Sequence, residues 1–192
     1  MGLLRNLLAI IGLVTVLGAG YGYTQVAPLL AKFDEGYMEM YKGFAERLIT
    51  SMDPGTAMVW SVPVEEDISV EDVKESLKSL ASSNDFLYVG EALFYKQVES
   101  ITEKPYRHIS FMSFCDAMVG KMMADYNDAY TAFMPCRISV VEDKKGKLWL
   151  HTMNLDMMIH GGKPLPPELR KEALRVRNVI WDIMHGAARG DF

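Results

Sequence analysis

The chain has 192 residues, 49% hydrophobic and 23% charged, enough for one core-forming domain plus an extra segment. A formal charge of −5 and a pI near 5.4 argue against a nucleic-acid binder, which needs a basic face to neutralise phosphates. Two cysteines allow at most one bridge, so the chain is not a disulfide-built scaffold.

Residues 7–31 carry no charge, and residues 7–26 meet the roughly 20 apolar positions that a helix needs to cross a bilayer. Arg5 precedes this run, while Lys32, Lys42 and Arg47 after it are outnumbered by Asp34, Glu35, Glu39 and Glu46. The positive-inside bias then places the N-terminus in the cytoplasm and the rest outside, as a single-pass protein of a bacterial inner membrane with a periplasmic domain. The same stretch also fits a cleavable signal peptide, with residues 7–17 as its apolar region and Gly18 and Gly20 before a cut. Residues 1–31 are thus an anchor or a signal peptide.

Residues 32–56 read as a juxtamembrane helix and linker. Val26, Leu30, Phe33, Tyr37, Met40, Phe44 and Leu48 step by threes and fours, close to a heptad pattern, with Pro28 marking a kink or a fresh start. The stripe lies either against its own domain or against a partner, a second copy or a larger membrane complex.

Residues 57–192 read as an exported domain. Asp53-Pro54-Gly55 is a turn, and residues 57–64 alternate as a strand with Met58, Trp60 and Val62 on one face. Ser69 with Asp72 predicts a capped helix buried through Val70, Val73, Leu77, Leu80 and Ala81. Residues 86–98 read as a strand, and residues 107–114 as another. Ser113 with Asp116 repeats the cap pattern before a helix carrying Met118, Val119, Met122 and Met123. Pro135 opens a strand over residues 136–142, and Asp143-Lys144-Lys145-Gly146 turns it back into residues 147–153. Pro167 starts a last helix with Leu169, Ala173, Val176, Ile180 and Met184 as its stripe. The order implies an α+β fold, a small mainly antiparallel sheet covered by helices.

The helix after Ser69, the strand with Phe86-Leu87-Tyr88-Val89 and the strand running into Phe114-Cys115-Asp116 form a recognisable series. With the strand entry Met134-Pro135-Cys136-Arg137-Ile138 and the hairpin from Val141 to Lys147, the chain resembles the domain-of-unknown-function 302 family. The resemblance spans about residues 59–153. It implies a compact α+β fold, often dimeric, and no established activity. The membrane segment and the long C-terminal helix depart from the simplest members.

Cys115 is expected in the first turn of a helix, where free amides and the dipole favour a thiolate. Cys136 follows a proline at a strand start, and the path of the chain places the two as a candidate thiol pair. They read as two separate buried residues, as a disulfide or redox pair, or as part of a ligand or metal site. Met118, Met122, Arg137 and His151 are the candidate ligand contacts. With Met153, Met157, Met158 and His160 nearby in sequence, the sulfur and imidazole donors make Cu(I) an option, although the sequence requires no cofactor. No H-E-x-x-H, G-x-S-x-G or P-loop motif is present. The chain therefore reads as a membrane-attached accessory or small-ligand-binding module, with a thiol-redox or soft-metal-handling protein as the alternative.

Overall fold

The structure is a computed structural model that describes residues 2–192. Five strands, β1 Val59–Pro63, β2 Leu87–Ala92, β3 Ile109–Cys115, β4 Cys136–Glu142 and β5 Leu148–Met153, form one antiparallel sheet in the order β1-β5-β4-β3-β2. The alternation in β3 sets its faces: Ser110, Met112 and Phe114 point into the core, Phe111 and Ser113 to the other side. Register extends the buried rows across the sheet, pairing Met112 with Ile138 and Val140 with Leu150. The β4–β5 turn follows the expected chemistry. The Asp143 carboxylate accepts from the Lys145 and Lys147 amides, and Gly146 supplies a φ of +83°.

Helices α4 (Val70–Ser83) and α8 (Pro167–Ala188) cover the buried face. Ser69 and Asp72 form the complete reciprocal cap, and Pro167 occupies the first turn of α8. The two helices pack closely at Gly186, where an added Cβ would lie 2.7 Å from Leu80 Cδ1. On the opposite face, α5 (Phe94–Thr102) covers one edge only, through Phe94 against Phe111 and Tyr95 against His108.

Three sequence expectations change. The strand expected over residues 86–98 stops at Ala92, because Tyr95, Val98 and Glu99, the half-buried positions after it, have helical spacing. Ser113 is not a cap. It pairs with Arg137 inside β3, and the Asp116 carboxylate instead accepts the Met118 and Val119 amides to start α6 (Ala117–Tyr126). The stripe over residues 26–48 is not one helix either. The first helix, α1 (Gly2–Leu30), runs through Pro28 and ends at Leu30, and α2 (Tyr37–Ser51) begins after a turn. Asp34 makes that turn, its carboxylate taking the Gly36 amide while its own amide donates to Gly162.

Helix α1 has 29 residues and a mean hydropathy of 1.9 over its most apolar window, with none of them buried. At 1.5 Å per residue it is about 44 Å long, more than the roughly 30 Å of a hydrocarbon core. Helix α2 rests on the domain through buried Met40 and through Tyr41, whose hydroxyl donates to the Gly161 carbonyl. Beneath it the Asp34 carboxylate, with a side chain 2% exposed, takes a 2.5 Å hydrogen bond from His160 Nδ1 and lies 3.3 Å from Arg170 Nε. A short helix, α3 (Pro54–Met58), joins α2 to β1 and takes up Met58; another, α7 (Asp156–His160), joins β5 to α8.

Candidate functional site

Cys115 closes β3 and Cys136 opens β4. Phe114 is the register partner of Cys136, so Cys115 sits one residue diagonal to it, at a Cα separation of about 6 Å from ordinary strand spacings. Around this junction lies a cavity of about 70 Å³. Its walls come from α6 through Val119 and Met123, from the end of the 3-10 helix Asp128–Phe133 and the Met134 that follows it, and from Leu155, Met158 and Ile159 around α7. Ala173 and Val176 of α8 close it. Gly120 faces this space: an added Cβ would stand 3.3 Å from Met134 Sδ and 3.6 Å from Cys115 Sγ.

Asp116 is the one charged residue in the lining, and it is fully engaged. Its carboxylate accepts the Met118 and Val119 amides at 3.0 Å each and pairs with Arg175. Burial pushes this carboxyl up, but the amides and the guanidinium outweigh it and hold the group below the usual carboxylate range. The thiols move the other way. Burial, and after it the Asp116 charge, raises Cys115. Burial pushes Cys136 up to about 11, with Cys115 adding to the effect. The thiolate expected at Cys115 is therefore corrected: the residue precedes the helix, and Asp116 has taken the amides that would have stabilised a sulfur anion. Both cysteines are free.

The remaining candidates separate. Met118 is 69% exposed and points away from the cavity. Met122 packs in a second apolar cluster with Val119, Met123, Ile159 and Leu169. Arg137 is exposed on the other sheet face, over the Phe111 ring at 5.8 Å. His151 lies on that same face, its Nδ1 2.8 Å from Ser61 Oγ and its ring parallel to Trp149; burial pushes its pKa down. His160 belongs to the Asp34 cluster. The donor set drawn from Cys115, Met118, Met122 and His151 is thus dispersed. The residues that share the cavity lining with the thiols, Gly120, Met123, Met134 and Met158, form no sequence motif. The one local signal is Met134, two positions before Cys136.

Residues 60–186 match the domain of unknown function DUF302. The chain belongs to this family. The DUF302 match extends past the hairpin to include most of α8, so the C-terminal helix is part of the family unit rather than a departure from it. Helices α1, α2 and α3 precede the matched residues. A crystal structure of an uncharacterized conserved DUF302 protein from Bacillus stearothermophilus has the same fold, with a TM-score of 0.57. It is 13% identical, and the alignment covers 69% of this chain and 98% of that one. No match was found among curated proteins.

Proposed function

We propose that this DUF302 protein is a small-ligand-binding accessory module held at a membrane by α1, with the cavity beside Cys115 and Cys136 as its ligand site. The observation that carries the reading is an apolar cavity lined by both free thiols and walled by side chains of α6, α7 and α8. Arg5 in the first turns of α1, ahead of its uncharged run, and the acidic excess after the helix support a cytoplasmic N-terminus and a periplasmic domain at a bacterial inner membrane. Met38 and Ile49 on α2 and Met52 at its C-terminal cap are 67%, 72% and 85% exposed, which supports contact with a second copy or a larger membrane complex.

The test is thiol access in the folded, detergent-solubilised protein at mildly alkaline pH. N-ethylmaleimide should modify a cavity thiol while a maleimide carried on a bulky polymer should not. Thiols inert to both reagents until denaturation would mean a sealed core, and the reading would fail.

The neighbouring thiols favour a second reading, a dithiol that gives two protons and two electrons to a small disulfide as it closes. Their raised pKa values slow that attack, since the thiolate is the nucleophile. A reversible two-thiol change on titration with oxidised and reduced glutathione would favour the redox reading over the passive one.

A further inference from the structure

The cavity lining is chemically uniform in one respect: Cys115, Cys136, Met123, Met134 and Met158 bring five sulfur atoms to it. Its single oxygen-donor side chain, Asp116, is committed to two backbone amides and to Arg175. Resting on the ligand-site reading above, we propose that the cavity takes a soft monovalent d10 cation, Cu(I) or Ag(I), held by Cys115 Sγ and Cys136 Sγ with Met134 Sδ as third donor.

Three observations converge on these atoms. The point where a Gly120 Cβ would stand is 3.3 Å from Met134 Sδ and 3.6 Å from Cys115 Sγ, so both sulfurs lie close to the same stretch of α6 at Gly120. Cys136 follows Met134 by two residues and opens β4 beside the end of β3, and Cys115, Met134 and Cys136 all line the cavity. Finally, the donor types select the ion. Thiolate and thioether sulfur suit Cu(I), while zinc takes four His, Cys or carboxylate ligands. Among the described residues no group of three or more His, Cys, Asp or Glu is placed to hold a metal ion.

Binding balances without an oxidant. Each thiol S–H proton leaves to water as its sulfur–metal bond forms, the cation stays at +1, and two protons are released per ion. The apolar walls hold off water and harder competing ligands. Of the methionines the sequence offered, Met158 lines the cavity while Met118 faces solvent, and Met134, which the sequence did not single out, joins the lining.

The full chain in detergent, kept anaerobic, is offered Cu(I) as its bathocuproine disulfonate complex, with Ag(I) as a second probe. One ion should transfer per chain, with release of two protons in weakly buffered solution. Cys115→Ser and Cys136→Ser should each weaken binding by more than the roughly 10–100-fold that loss of a second-sphere partner costs. Met134→Leu should weaken it less, and Met118→Leu should leave it unchanged. Gly120→Leu keeps both thiols and should block the ion; its thermal melt reports that the domain remains folded even where a cysteine variant does not. Transfer that persists in the Cys115→Ser/Cys136→Ser double variant would assign the ion to other methionines and overturn the site. Absence of transfer while N-ethylmaleimide still enters would overturn the cation and leave the ligand-binding reading standing. Exclusion of both probes would overturn both.

Discussion

At the scale of single residues the chemistry of the site is set by what each group can no longer reach. Cys136 has its thiol raised from the ordinary value of 9.0 to about 11 by burial, so between those values the folded chain holds a proton there that the unfolded chain has lost. Its contribution to stability is complete below about 9 and is lost as pH rises through about 11. Stability from urea unfolding should therefore fall across that window in the wild type, and Cys136→Ala should flatten the fall while lowering stability at neutral pH. Asp34 titrates in the opposite sense. Burial raises its carboxyl, but His160, the Gly36 amide and Arg170 outweigh this and hold it below 3.8. Its contribution is present above 3.8 and is lost as pH falls through the depressed folded value.

At the scale of elements, two local devices hold helices in place. The Ser69–Asp72 cap satisfies the first amides of α4, whose Val73, Leu77 and Ala81 are fully buried against the sheet. Ser69→Ala should cost about 1 kcal/mol, the usual worth of such a cap, measured by thermal or urea unfolding. The second device is Asp34, which ties the chain leaving α1 to α7 and α8 through His160, Arg170 and the Gly162 carbonyl. Asp34→Asn should release this turn and open residues 31–36 to a protease such as chymotrypsin at Phe33, while the circular dichroism of the sheet stays unchanged. Protection equal to the wild type would show that α2 is held by Met40 and Tyr41 alone.

For the whole molecule, α1 buries no residue against the domain. Removing residues 2–31 should leave the melting temperature of the domain within a degree or two and turn a detergent-dependent protein into a water-soluble one, as read by sedimentation after alkaline extraction of membranes. A large drop in melting temperature would mean that α1 is a structural helix of the fold.

The sequence by itself determined the elements whose signals are local. The cap at Ser69, the proline start of α8, the Asp143–Gly146 turn and the uncharged run of α1 each need only neighbours a few residues away, and each is where the pattern put it. The α+β class follows from them. Tertiary structure decided the rest, because those choices depend on partners distant in the chain. Asp116 rather than Ser113 became the cap once β4 pairing held Ser113 in the sheet, and the Asp34 turn divided a continuous-looking stripe once Gly162 and His160 were beside it. The site shows the division most clearly. The two cysteines were legible as chain neighbours of strand and helix ends, but Gly120, Met123, Met134 and Met158 share a cavity lining with them only because α6, α7 and α8 close over the ends of β3 and β4. No period or motif encodes which methionine faces inward across such a junction; packing does.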